Sequence, residues 1–225
     1  MKLPVMVKCT FPAVCFLLIV SSTAGQQYTT SHVFAHNDYV RAVPFYAAYN
    51  LGVGYIEADV FLQDDKLMVA HHVNEIKAGR DLETVYLQPL LREVRKSDGR
   101  LYADAAKTLT LMIDLKTEGA STLRAVTRML NKYPALTSCT NLRFMISGDV
   151  PDPNTCDEYP AYITFDGRPG RAYTPDQLAR ISMISTNFRS HSTWDGHGQI
   201  SAKDRRLIAA LVDDAHQKGK MFRFW

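Results

Sequence analysis

Short β-like runs alternate with amphipathic helical stretches from residue 31 to the last residue, and no other feature limits the possible folds so sharply. Runs rich in β-branched, aromatic and aliphatic residues occur at 33–36, 55–62, 109–116, 142–147, 161–165, 181–186 and 221–225, which predicts seven strands along the main path. Between them the pattern predicts helices over 44–51, 82–96, 122–133, 175–181 and 203–218. In the last of these, Leu207, Ile208, Leu211 and Val212 fall at i, i+1, i+4 and i+5, a single stripe that is expected to be buried. Strand–helix alternation implies a parallel sheet, either closed as a barrel or doubly wound. No glycine-rich loop follows the first strand, which argues against a nucleotide-binding doubly wound domain. Neither an internal repeat nor a Pro-, Gly- and Ser-rich linker divides the 225 residues, so one domain is expected.

The first 25 residues stand apart from this rhythm. Lys2 and Lys8 make a positive start, residues 11–20 are apolar but for Pro12, and Ser22, Thr23, Ala24 and Gly25 are small. Such a segment reads as a secretory signal peptide cleaved near Ala24 or Gly25, its apolar run being too short for the ~30 Å core of a bilayer, so no stable membrane span is expected. An exported location, periplasmic or secreted, follows for the domain over residues 26–225. Cleavage removes Lys2 and Lys8 and so lowers the net charge from +3 to +1. Charges of both signs are interspersed without basic tracts, which excludes nucleic acid as a partner. Of the 4 cysteines, Cys9 and Cys15 leave with the leader. Cys139 and Cys156 remain, either bridged or as two free thiols, and no cluster has zinc-ligand spacing.

The chemistry concentrates in residues 54–71. In a strand, Glu57 and Asp59 share one face while Ile56, Ala58 and Val60 share the other. Residues 62–66 have a turn composition, and a second apolar run, 67–70, ends in His71 and His72. The intervening segment is too short for a parallel crossover, so the two runs must form an antiparallel hairpin. A turn centred on Asp64 and Asp65 pairs residue 59 near residue 70 and brings His71 back to the carboxylates. Carboxylates gathered at a strand end repel one another unless neutralised, and a hard divalent cation with oxygen ligands, Mg²⁺ or Ca²⁺, does this. The first strand ends at His36 and Asn37, which adds an imidazole and an amide oxygen to the same rim. In the third, Asp114 and Lys116 share a face opposite Leu111, Ile113 and Leu115, an acid and a base side by side on an inward surface.

Four motifs in order, His36-Asn37-Asp38-Tyr39, Ile56-Glu57-Ala58-Asp59-Val60, Val69-Ala70-His71 and Ile113-Asp114-Leu115-Lys116-Thr117, resemble the superfamily of phosphatidylinositol-specific phospholipases C and glycerophosphodiester phosphodiesterases. The likeness covers residues 31–117, is most pronounced for a group of secreted bacterial proteins of undefined substrate, and in its Asp-Leu-Lys-Thr run is similar to the sphingomyelinase D toxins. It implies an α/β fold of the TIM (β/α)8 type. It also implies a divalent cation held by Glu57, Asp59 and Asp114, with Asn37 as a further ligand. His36 and His71 would be the general base and acid, in either order, and Lys116 would contact a phosphate oxygen. Trp225 would line the pocket, as a similarly placed Trp does in relatives. Superfamily members continue past the seventh strand with a helix and an eighth strand, so the barrel is expected to lack its last βα unit and the chain to be a truncated gene product.

The expected activity is metal-dependent hydrolysis of a phosphoric diester, a glycerophosphodiester or a phospholipid-type substrate, whether a small molecule or a lipid. A superfamily nucleophile is often a hydroxyl of the substrate itself, so a lyase releasing a cyclic phosphate is one alternative and a non-catalytic ligand-binding barrel another. Arg168 and Arg171 follow the fifth strand in a Gly- and Pro-bearing loop, where they either reach a polar head group or are merely solvated, Arg168 being the one assigned to substrate binding. His191, Trp194 and His197 lie in a loop after the sixth strand, on the rim where barrel active sites form. His32, His72 and His216 are read as structural or exposed.

Overall fold

A computed structural model describes residues 28–225, so the segment expected to be a signal peptide lies outside the described residues. Eight strands form one sheet: β1 (Phe34–Ala35), β2 (Tyr55–Gln63), β3 (Lys66–Val69), β4 (Leu109–Leu115), β5 (Leu142–Gly148), β6 (Ile163–Gly167), β7 (Ile181–Thr186) and β8 (Met221–Phe224). Seven of them pair in parallel in the order β1-β2-β4-β5-β6-β7-β8, while β3 lies antiparallel on β2. No ladder joins β1 to β8 among the described residues. The sheet nevertheless curls, because the Tyr55 hydroxyl lies 3.7 Å from Met221 Sδ and Arg223 of β8 reaches Glu57 of β2. The architecture is an open, barrel-like parallel sheet.

The helices are α1 (Tyr46–Leu51), α2 (Gln88–Lys96), α3 (Gly119–Leu130), the single turn α4 (Pro134–Thr137), α5 (Pro175–Arg180) and α6 (Ala202–Gln217). The helix predicted over 82–96 is divided: a π-helical turn, Glu83–Leu87, precedes α2. Pro89 has no N–H to give to the carbonyl one turn back, so an ordinary α-ladder cannot run through it. Helix α3 starts earlier than its apolar pattern, since the Glu118 carboxylate accepts from Ala120 N at 3.0 Å and Ser121 N at 2.8 Å and caps the first turn.

The predicted hairpin forms in the predicted register. Val60 pairs with Val69 and Gln63 with Lys66. The turn residues Asp64 and Asp65 both have positive φ, 48° and 58°, the left-handed pair that matches the twist of a two-residue hairpin. Alternation along the strands then sorts the core into two layers. Ile56, Ala58, Val60, Leu111, Ile113, Phe144 and Ile146 face the helices and are buried. Met112, Met145 and Met183 face inward and form an apolar floor with Phe34 and Tyr55 packed against it. The next inward position along the strands is polar: Asp59 pairs with Asp114, Asp114 with Ser147, and Ser185 with Arg223. A polar site therefore sits on a methionine floor.

One expectation changes and one open alternative is decided. The stripe on the last helix is not buried: Leu207 is 40% exposed, Ile208, Leu211 and Val212 are half-buried, and Ala215 is the one buried residue of α6. The stripe packs chiefly on a short strand, β8, and stays partly open to solvent. Cys139 and Cys156 are both buried free thiols, and burial pushes the Cys156 thiol up to about 11.

Candidate active site

The C-terminal ends of the parallel strands open into a cavity of about 830 Å³, lined by His36, Glu57, His71, Asp114, Lys116, Ser147, Asp166, Arg168, Arg223 and Trp225 among others. Strand β2 delivers Glu57 and Asp59, β4 delivers Asp114, and the three carboxylates offer oxygens all within 4.8 Å of one another. The hairpin returns His71 so that its Nδ1 lies 3.0 Å from Asp59 Oδ2. Tyr39, carried by the turn after β1, donates its hydroxyl to the same Asp59 oxygen at 2.7 Å and lies 3.4 Å from His71 Nδ1. His36 Nε2 stands 3.7 Å from Glu57 Oε1. With Nδ1 engaged by Asp59, the free nitrogen of His71 is Nε2.

Two cations partly balance the three acids. Lys116 Nζ lies 2.7 Å from Asp114 Oδ1 and 3.1 Å from Asp59 Oδ2. Arg223 donates from one terminal nitrogen to Glu57 Oε2 at 3.0 Å, with its guanidinium carbon 4.2 Å over the Phe34 ring. Ser147 donates to Asp114 Oδ2 at 2.8 Å. Burial pushes the Glu57 carboxyl up to about 7; Arg223 opposes this, and the charges of Asp59 and Asp114 add to it. Burial and then the charge of Arg223 hold the His36 imidazole below its ordinary value, with His71 and Lys116 acting the same way against the pull of Asp59. For Lys116 burial works against the ammonium, but its bonds and attraction to Asp114 and Asp59 together outweigh that and raise it.

The donor set fits a hard divalent cation. Asp59 Oδ2 takes Tyr39, His71 and Lys116, while its other oxygen, Oδ1, is buried with no partner. Three carboxylates against two cations leave one negative charge and one unused buried oxygen, the condition that an oxygen-ligated divalent ion relieves. Asn37 sits beside this set, with a left-handed backbone at φ 50° and its Oδ1 3.0 Å from the Tyr39 hydroxyl.

Of the remaining predicted residues, Arg168 and Trp225 do reach the cavity, and Lys116 lines it while pairing with the acids. Arg171 pairs with Asp152 at 2.9 Å on the exposed surface, and His72 is exposed. His191 lies 3.1 Å from Thr186 Oγ1, and the Trp194 indole donates to the carbonyl of His197 at 3.0 Å, so the loop is tied to itself and to β7. Arg223, Asp166 and Ser147 line the cavity without a role in the sequence reading, and Ser185 hydrogen-bonds Asp166 behind it. Alternation does put Arg223 on the inward face with Trp225, but its partner on β2 lies 166 positions away. The apolar run that marks β6 ends at Phe165; because Ile163 and Phe165 face the helices, alternation turns Asp166 inward, while the register shift at this point adds one residue, Ser182, to the facing strand β7.

The chain is similar to several known proteins. The family of AIM6-like phosphodiesterase domains matches residues 23–141. The "Altered inheritance of mitochondria protein 6 homolog" of Arthroderma benhamiae is 34% identical over 39% of this chain and 33% of its own length. The "Altered inheritance of mitochondria protein 6" of Lachancea thermotolerans is 30% identical over 52% of this chain and 30% of its own length. The matches thus span a third or less of these relatives. A glycerophosphodiester phosphodiesterase from Parabacteroides distasonis superposes with a TM-score of 0.48 at 14% identity, covering 86% of this chain and 83% of that one. The sequence relatives overturn the expected location: they are fungal and yeast proteins named for the inheritance of mitochondria, so the assignment to an exported bacterial group is withdrawn. No helix among the described residues is long and apolar enough to cross a membrane.

Proposed function

Because the chain belongs to the family of AIM6-like phosphodiesterase domains, we propose that it hydrolyses a phosphoric diester in the cavity above Glu57, Asp59 and Asp114. The observation that carries this reading is the convergence of three carboxylates within 4.8 Å beside two imidazoles on one cavity wall. Glu57, Asp59 and Asp114 would hold a divalent cation, Ca²⁺ or Mg²⁺, which when bound offsets the charge that develops on the phosphoryl oxygens.

The chain's own residues do the rest. His36, held neutral by its surroundings, accepts a proton from the attacking water as the new O–P bond forms. His71, with Nδ1 fixed on Asp59, delivers a proton from Nε2 to the departing oxygen as the old P–O bond breaks. The products are a phosphomonoester and an alcohol, and the two histidines exchange protons with solvent to reset. Lys116 has three N–H groups, of which Asp114 and Asp59 take two, leaving one for a phosphate oxygen.

The test is turnover of bis(4-nitrophenyl) phosphate and of a glycerophosphodiester by the purified chain, with phosphorus NMR of the products. Mg²⁺- or Ca²⁺-dependent formation of a monoester that stops on chelation is expected. A lack of turnover with Ca²⁺, Mg²⁺ and Mn²⁺ alike overturns the reading, and a cyclic phosphate as sole end product replaces hydrolysis with a lyase reaction.

A further inference from the structure

Asp59 is the most enclosed of the three acids, and its two oxygens are treated unequally. Oδ2 takes the Tyr39 hydroxyl at 2.7 Å, His71 Nδ1 at 3.0 Å and Lys116 Nζ at 3.1 Å, whereas Oδ1 is buried with no partner. A carboxylate turned half a revolution about its Cβ–Cγ bond exchanges its oxygens, so the open oxygen keeps its place only if the other is held. Lys116 and His71 are poor anchors, because Lys116 also serves Asp114 at 2.7 Å and both side chains are engaged by the reaction. Tyr39 takes no part in that chemistry. It is 3% exposed, its ring packs in the apolar core, and the Arg80 guanidinium donates to its carbonyl oxygen. Its neighbour Asp38 accepts from Phe45 N at 2.6 Å and from the Tyr86 hydroxyl at 3.2 Å, which ties the same turn to the core. The Tyr39 hydroxyl has one proton, and Asn37 Oδ1 at 3.0 Å competes for it; the shorter contact, to the charged Asp59, takes it.

We propose that Tyr39 is a positioning residue of this site: its hydroxyl locks the Asp59 carboxylate so that Oδ1 is kept for a divalent cation while Oδ2 keeps hold of His71. The proposal rests on the reading of Glu57, Asp59 and Asp114 as a cation site. A donor on the outer oxygen of a ligating carboxylate fixes which oxygen meets the cation, and the loss of such a partner typically costs about 10–100-fold in metal affinity or activity. The same oxygen carries His71. A carboxylate only accepts, so it keeps the imidazole proton on Nδ1 and orients Nε2 for the departing group. Without the hydroxyl, Asp59 turns more freely, the cation meets a less ordered ligand, and His71 loses its fixed orientation. The phenol suits this task because its ring is held by packing and only its O–H bond turns.

The experiment compares the purified chain with Tyr39→Phe, which removes one oxygen and keeps the ring. Calorimetric titrations with Mg²⁺ and with Ca²⁺ are expected to show about tenfold lower affinity in the variant. At metal concentrations that saturate each protein, kcat for bis(4-nitrophenyl) phosphate should fall about tenfold with KM little changed, because His71 is disturbed and the substrate contacts are not. Tyr49→Phe is the control. Its hydroxyl donates to the Leu101 carbonyl at 2.9 Å, away from the cavity, so its loss should lower the unfolding temperature and leave metal affinity and kcat at the parent values. Should Tyr39→Phe fail to fold, Arg80→Gln, which releases the Tyr39 carbonyl, should show the same losses to a smaller degree. Unchanged cation affinity and kcat in the variant that folds, or an equal loss of affinity in Tyr49→Phe, overturns the proposal while the cation site stands. If the parent binds neither ion, the cation reading fails and the proposal with it.

Discussion

At the scale of single residues, the decisive groups are carboxylates whose burial is tolerated only through their partners. Glu57 is raised to about 7, chiefly by burial, so folding takes up a proton between about 4.5 and about 7. The metal-free protein should therefore lose stability as pH rises through that window, by roughly 3 kcal/mol from this group, with no further loss from it above. Thermal unfolding against pH checks this: Glu57→Gln should flatten that part of the slope, and an unchanged slope would contradict it. Metal binding to the same acid must displace the proton, so affinity for Mg²⁺ or Ca²⁺ should climb up to about pH 7 and then level off in calorimetric titrations. For catalysis, His36→Ala should reduce turnover by about 10²–10⁴-fold with an unchanged circular dichroism spectrum, while a rate like that of the parent would remove His36 from the mechanism. The acids and histidines were legible as types at fixed spacing. Arg223 was not, because its role depends on a carboxylate 166 positions away rather than on any neighbour in sequence.

At the scale of elements, the hairpin carries the site, and its register could be read because Asp64 and Asp65 mark a two-residue turn and one face is fully apolar. The end of β5 is the less visible support. Gly148 has φ 77°, and a Cβ there would come within 2.5 Å of the Leu115 carbonyl oxygen and 2.9 Å of Asp114 Oδ1. Gly148→Ala should cost about 1–3 kcal/mol in chemical denaturation and also weaken divalent cation binding, because the strain falls on the strand end that presents Asp114. Retained metal affinity with reduced stability would show that β5 supports the fold and not the site. Helix α6 shows the opposite failure of pattern. Its stripe is regular, but periodicity states only which residues want cover, and whether cover exists is settled by what packs there.

At the scale of the whole molecule, the sheet is firm at its centre and thin at one end. Strands β2, β4 and β5 are flanked on both edges and packed beneath helices, whereas β8 pairs with β7 alone and lies beneath a helix with a single buried residue. Amide exchange over 202–224 should accordingly be faster than over 55–63 and 109–115, by mass spectrometry of peptic fragments, and equal protection would show that the end strand is held as firmly as the centre. The amino-acid sequence alone determined the parallel architecture, the hairpin register and the rim that gathers Glu57, Asp59, His71, Asp114 and His36. It could do so because alternation, turn chemistry and short spacings act between near neighbours. Only the tertiary structure decided that Arg223 crosses the interior to Glu57, that Asp166 meets Ser185 and Arg168, and that both cysteines are free. Those outcomes depend on which side chains meet when a sheet curls, and distance along the chain carries no information about that closure.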